Sequence, residues 1–218
     1  STLLNVVSGR YRPDGGTVKI DGRRVDRLPD HKVARYVARV FQDPMAGTAA
    51  HMTIEENLSL ALGRGTTRSL GQGVTRAKRE FLRTQLKVLE QGLEDRLTTK
   101  VGLLSGGQRQ ALSLVMATFG DPKVLLLDEH TAALDPQRAE LITNLTRELV
   151  AEKGLTTLMV THNMEQALRL GNRLIMMHEG RIIFELSGQD KAGAGVEDLM
   201  AEFDRIKGAQ LSDRTLLT

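Results

Sequence analysis

Five places along the chain carry the residue types that can do chemistry. Leu104-Ser105-Gly106-Gly107-Gln108 reads as the start of a helix with two glycines in its first turn. Ser105 and Gln108 fit a capping box, yet glycines weaken a helix at that point. They make sense where a ligand must approach the backbone closely, and a helix N-terminus favours an anion such as phosphate. Val124-Leu125-Leu126-Leu127-Asp128-Glu129 is an aliphatic strand with two carboxylates at its tip. A paired salt bridge is the plain explanation of such acids. The chemical one gives Asp128 a magnesium ion, held through water, and has Glu129 orient and deprotonate an attacking water.

Thr161-His162 ends another strand with an imidazole. A lone histidine is ordinarily structural. At the same sheet edge as Asp128 and Glu129, His162 becomes a candidate for holding a γ-phosphate and the attacking water in line. Gln42 follows a third strand and would complete the magnesium shell and sense the γ-phosphate. Ser1 and Thr2 fit the end of a Gly-x-x-x-x-Gly-Lys-[Ser/Thr] loop. Ser1 would then give its hydroxyl to magnesium, and Thr2 would lie by the α-phosphate. These residues, in this order, point to binding and hydrolysis of ATP. His130 is expected to position its loop, and His31, His51 and His178 have no supporting company.

The elements that must position these groups follow from the pattern. Thr2 to Val7 is helical and ends near Gly9. Thr17 to Ile20 alternates like a strand before Asp21-Gly22, a hairpin signal. Tyr36 to Phe41 is a strand that Pro44 stops. Arg76 to Gln91 reads as a helix ended by Gly92, with Leu82, Leu86, Leu89 and Leu93 on one face. Gly63 to Gly73 reads as a surface loop. Gly106 to Phe119 is a helix and Lys123 to Leu127 a strand. Asp135 is a natural N-cap before Pro136, for a helix that turns Ile142, Leu145 and Leu149 inward and stops at Gly154. Thr156 to Val160 is a strand, Met164 to Leu170 a helix, and a hairpin turns at Glu179-Gly180. Ser187 to Gly195 reads as a linker and Val196 to Ile206 as a short helix.

Strand–helix alternation of this kind predicts an α/β fold with a mostly parallel sheet covered on both faces. Ligands of such sheets gather at the carboxyl ends of the strands, where Gln42, Asp128, Glu129 and His162 all fall. Residues 45–119 form an inserted α-helical subdomain on this reading, 1–44 and 120–195 the core, and 196–218 a C-terminal helix and tail.

Bulk composition narrows the class. The 218 residues suffice for one sizeable α/β core. The absence of cysteine excludes disulfides and thiolate-bound metals. No run approaches the roughly 20 apolar residues of a membrane-spanning helix. A net charge of +3 with basic residues spread along the chain, and only 3% aromatics, speaks against a nucleic-acid partner.

Over nearly its whole length the chain resembles the nucleotide-binding subunit of ATP-binding-cassette (ABC) transporters. Ser105 to Gln108 match the family signature, Val124 to Glu129 the Walker B strand and Gln42 the Q-loop. Ala133-Leu134-Asp135 matches the D-loop and His162 the switch histidine. The resemblance implies a P-loop NTPase-like core with an antiparallel β subdomain. It also implies a head-to-tail homodimer with two ATPs at the interface, each held by the P-loop of one copy and by Ser105, Gly106, Gly107 and Gln108 of the other, with Asp135 nearby. Further implied are magnesium on Ser1, Gln42 and Asp128, catalysis by Glu129 and His162, transmembrane permease subunits docking at Asp43 to Asn57, and an extracytoplasmic substrate-binding protein. Its place would be the cytoplasmic face of the inner or plasma membrane, as a peripheral subunit.

The sequence departs from the family pattern at two points. The P-loop glycines and lysine, the preceding strands and the adenine-stacking aromatic are not in it, so by itself it would bind ATP poorly. We expect it to be part of an otherwise normal ATPase. His130 stands where most relatives have proline. Asp-Glu-His-Thr-Ala-Ala-Leu-Asp-Pro is similar to bacterial uptake ATPases, some assigned to aromatic amino acids. A solute importer, for an amino acid by that resemblance, is the leading expectation. The alternative is a soluble ABC-type ATPase of translation or DNA repair, but such proteins carry two cassettes or a long coiled coil. A degenerate regulatory homologue is disfavoured by Glu129 and His162.

Overall fold

The computed structural model describes residues 1–64, 66 and 73–215, the last ten for their backbone alone. Most of the loop expected over Gly63 to Gly73 lies outside the described residues. The chain divides into two compact units, Ser1–Val160 and Thr161–Thr218.

The first unit is organised by a three-stranded parallel sheet. Its strands are β3 (Val37–Val40), β4 (Val124–Asp128) and β5 (Thr156–Val160), in the order β3-β4-β5. The register sets Val40 against Leu127 and Asp128 against Val160. Because strand side chains alternate between faces, β4 feeds two separate cores. Leu125 and Leu127 pack with α5 (Gly106–Thr118) and α6 (Pro136–Lys153), through residues such as Leu112, Val115, Ile142 and Leu145. Leu126 packs on the other side with Leu4 of α1 (Thr2–Val7), Ile20, Val33 of α2 (Asp30–Val33) and Val37. Leu125, Leu126 and Leu127 are all fully buried, as a strand covered on both faces requires.

A short antiparallel hairpin, β1 (Lys19–Ile20) with β2 (Arg23–Arg24), precedes the sheet. Asp21 and Gly22 turn it with φ of 48° and 73°, the left-handed pair that a two-residue hairpin needs.

Two helices, α3 (Ile54–Leu62) and α4 (Arg76–Lys87), build the remaining layer with α5. Thr53 and Glu56 close a capping box on α3. Glu55, nearly buried, meets Arg79 of α4 through two bonds of 2.6 and 2.9 Å, a fork-to-fork contact that ties the helices together. Helix α4 stops at Lys87, short of the expected Gln91, because Glu90 and Gly92 take left-handed φ values of 50° and 65°. Leu89 and Leu93 are buried with Leu82 and Leu86 all the same, carried there by the turn and not by a longer helix.

The second unit contains α7 (Met164–Arg169), an antiparallel pair β6 (Arg173–His178) and β7 (Arg181–Ser187), and α9 (Val196–Thr215). The segment expected to be a linker is instead helical, α8 (Gly188–Gly193). Its Lys191 is buried and donates to the carbonyls of Leu168, Leu170 and Gly171, the orphan acceptors at the end of α7. Helix α9 also extends past the expected end at Ile206. Among the described residues, no helix is long and apolar enough to cross a membrane.

Candidate functional site

Asp128 ends β4 and Glu129 follows it outside the strand. Ser1, the N-cap of α1, brings its Oγ within 3.4 Å of Asp128 Oδ1, across 127 residues of sequence. A hydroxyl and a carboxylate side by side are hard oxygen donors of the kind a small divalent cation takes. The donor set therefore fits magnesium, with Ser1 and Asp128 as the residues that would hold it. Thr2 opens α1 and is exposed. Gln42, two residues past β3, is also exposed. Gln110 of α5 anchors its neighbour by donating to the Phe41 carbonyl at 3.3 Å.

Glu129 has a φ of 47°, a left-handed conformation that costs a non-glycine residue on the order of 1 kcal/mol or more. Its amide donates to the Val160 carbonyl at 3.0 Å, which continues the β4–β5 ladder by one bond past the end of the strand. The turn then closes with the Ala132 amide on the Glu129 carbonyl at 3.0 Å. Strain at this residue, held by ladder and turn, fixes where its side chain leaves the sheet.

His130 is buried behind it. Its Nε2 lies 3.1 Å from Thr146 Oγ1 of α6, and that hydroxyl donates to the Ile142 carbonyl at 2.7 Å. The hydroxyl proton being committed, Nε2 must carry the hydrogen and donate. Burial removes the ring from water and pushes its pKa from 6.5 down to about 4, so the imidazole is neutral and ties the acidic turn to α6. The sequence expectation that His130 positions its loop is compatible with this contact.

Two residues near this edge were not singled out by sequence reasoning. Arg39, in the middle of β3, donates from Nη2 to Asp128 Oδ2 at 2.5 Å and from Nη1 to Asn5 Oδ1 at 2.6 Å. A lone charge inside an apolar strand was the available signal. Arg138 is the other. It forms an ion pair with Asp135 at 3.3 Å and lies against Gly107.

At the start of α5 the capping box is formed. Ser105 Oγ accepts from the Gln108 amide at 3.3 Å, and Gln108 Oε1 accepts from the Ser105 amide at 3.1 Å. The two glycines have different causes. A Cβ on Gly107 would come within 3.0 Å of Arg138 Cδ, so packing accounts for it. At Gly106 a Cβ would meet nothing within 4 Å among the described residues. Its bare backbone is thus unexplained by the chain's own packing and stands open to something from outside. Asp135 caps α6 by accepting from the Arg138 amide at 3.1 Å. His162 belongs to the second unit, two residues past the end of β5, and is exposed. The neighbouring Thr161 and Asn163 are engaged in the turn that starts α7, the latter accepting from the Gln166 amide at 2.9 Å.

Comparison with known proteins gives a consistent result. The family model described as "ABC transporter" matches residues 1–132. A tyrosine transport ATP-binding protein of Clostridioides difficile is 45% identical over 94% of this chain and 81% of its own length. A thiamine import ATP-binding protein of Salmonella choleraesuis is 36% identical over 89% and 80%. Among solved structures, a dimeric ATP-binding cassette in a post-hydrolysis state with ADP and phosphate is 28% identical with a TM-score of 0.70, covering 85% of this chain and 79% of its own. An ABC transporter cassette in its ADP conformation has a TM-score of 0.71 at 26% identity, over 88% and 77%.

Proposed function

The chain belongs to the ABC transporter family, and from that membership we propose how its residues bind and hydrolyse ATP. It is an ATP-hydrolysing subunit that energises a membrane transporter, of the importer type found among its relatives. A soluble ATPase of translation or repair is not favoured. The observation that carries our residue-level reading is the meeting of Ser1 with Asp128 at the carboxyl edge of the parallel sheet, one residue from Glu129.

Ser1, Asp128 and Gln42 would hold magnesium, and what a bound magnesium supplies is neutralisation of charge on the phosphate oxygens. Thr2 would lie beside the α-phosphate. Glu129, preset by its left-handed backbone, orients the attacking water and takes its proton. His162 holds the water and the terminal phosphate in line. The open backbone at Gly106, with Ser105, Gly107 and Gln108 around it, receives the nucleotide carried by a second copy, and Asp135 lies in the same interface. ATP then adds contacts only when two copies close, and hydrolysis withdraws them. Residues 45–119 act as the helical part, with Asp43 to Asn57 as the docking surface for permease subunits. Asn57, buried, holds that loop by accepting from the Ala49 amide at 2.8 Å and donating to the Ala49 and Thr53 carbonyls.

On this reading the subunit is peripheral on the cytoplasmic face of the membrane and works with an extracytoplasmic binding protein. By similarity to the tyrosine transport relative, the solute is an amino acid.

The test is Glu129→Gln in the complete protein. Turnover should fall by at least about a hundredfold, in line with the loss of a general base, while ATP and magnesium still drive a dimer on a sizing column. Wild-type hydrolysis by that variant would overturn the assignment of the base.

A further inference from the structure

Arg39 is the only charged residue of β3, and it points to the α1 side of the sheet. Val37 and Leu126 on that side belong to an apolar cluster with Leu4 and Val33. The register places Arg39 opposite Leu126. Little of its side chain reaches solvent, 11%, and Asp128 is similar at 13%. The guanidinium lies over the Phe41 ring at 4.8 Å, and its Nε is buried with no hydrogen-bond partner among the described residues. Moving such a cation out of water is costly and needs a matched anion. That anion is Asp128, and the match divides its two oxygens. Oδ2 takes Arg39, while Oδ1 is left facing the Ser1 hydroxyl. The second anchor on Asn5 ties the same guanidinium to α1, the helix that Ser1 caps.

We propose that Arg39 is a positioning residue that holds Asp128 by one oxygen, aims the other at Ser1 and cancels the carboxylate's charge, so that the site takes a divalent cation only together with nucleotide phosphate. This rests on the reading of Asp128 as a magnesium-side residue. A cation arriving alone meets a neutral Asp128–Arg39 pair and the repulsion of the guanidinium a few ångströms away. A cation arriving with phosphates brings its own counter-charge, and Oδ1 is already aimed to receive it. Magnesium loading and nucleotide loading therefore become one event.

The experiment titrates Mn²⁺ against the complete protein without nucleotide, following free Mn²⁺ by electron paramagnetic resonance, with thermal melting in Mg²⁺ as a second readout. Arg39→Met should bind Mn²⁺ at least about tenfold more tightly than wild type, as expected when an opposing charge is removed from a poorly solvated site. Its melting temperature should rise with Mg²⁺ where that of wild type does not. Arg39→Gln keeps hydrogen-bond donors toward Asp128 without the charge and should behave like Arg39→Met, which guards against loss of folding. Arg39→Lys should behave like wild type, and Arg39→Met/Asp128→Asn should lose the added affinity. Equal Mn²⁺ affinity in wild type, Arg39→Met and Arg39→Gln would overturn the proposal. Failure of the underlying reading shows differently, as an Asp128→Asn single variant whose ATPase keeps the wild-type magnesium requirement.

Discussion

The buried imidazole of His130 makes a quantitative prediction about acid stability. Its pKa falls from 6.5 to about 4 on folding, because burial penalises the charged form. The unfolded chain therefore binds a proton at a pH where the folded chain does not, and stability must drop as pH falls through that window. The effect is absent above the unfolded value, grows as the pH falls from about 6.5, and saturates near about 4. The full shift corresponds to about 3 kcal/mol, and at about pH 5 the linkage amounts to about 2 kcal/mol. For a chain of this size that is a loss of roughly 4–8 °C in melting temperature between about pH 7 and pH 5. His130→Gln isolates the term. Its side-chain amide can still donate to Thr146 Oγ1 but cannot titrate, so the variant should melt at nearly constant temperature across that range. Differential scanning calorimetry of both proteins in matched buffers reads the difference directly. Carboxylates held low by partners, such as Glu56 on the Thr53 amide and Glu185 beside Arg173, act at lower pH and cancel in the comparison. If wild type and His130→Gln lose stability equally between about pH 7 and 5, the burial argument for His130 fails.

Two further outcomes follow from the site and its scaffold. Ser105→Arg should block dimer closure and cut ATPase activity by about a hundredfold or more, the scale of losing one phosphate donor, whereas Ser105→Ala should cost about 1 kcal/mol of stability through its lost cap; an unchanged ATPase rate in the arginine variant would defeat the idea of a site completed by a second copy. Arg79→Met should lower the urea midpoint of unfolding, since Glu55 is left nearly buried without its fork partner, and an unchanged midpoint would mean that the pair contributes no more than an ordinary surface bridge.

What the sequence revealed of this fold was mostly what is decided locally. Asp135 with Pro136 opens α6 and Gly154 closes it, where the left-handed residue falls. Strand β5 covers Thr156–Val160 as its composition indicates, and Asp21-Gly22 turns the hairpin. The errors lie where distant residues decide. Glycine and alanine made 187–195 look like a linker, but Lys191 is called into a helix by carbonyls some twenty residues earlier, which no window around it contains. Leucine spacing extended α4 too far, because burial of Leu89 and Leu93 is compatible with either a helix or a turn that re-enters the same cluster.

The candidate site shows the same division in its chemistry. A Ser-Gly-Gly-Gln turn can be read as a helix cap or as a phosphate receptor; the structure forms the cap, and the phosphate reading is our proposal. Ser105 and Gln108 do form the cap, and Arg138 accounts for Gly107 by contact. Only Gly106 is left without a packing reason, so the proposed ligand contact narrows from a four-residue motif to one bare stretch of backbone. At the other end of the site the logic reverses. Asp128 looked like an acid awaiting a metal, yet it already has a cation in Arg39, placed by a strand register that sequence spacing cannot reveal. On the proposed reading, a site whose anion is neutralised in advance and whose turn is left open in advance would respond to nucleotide as a whole and not to its parts. That property depends on Arg39, from β3, and on Gly106, at the start of α5, neither of which would be chosen by a search for acids and bases alone.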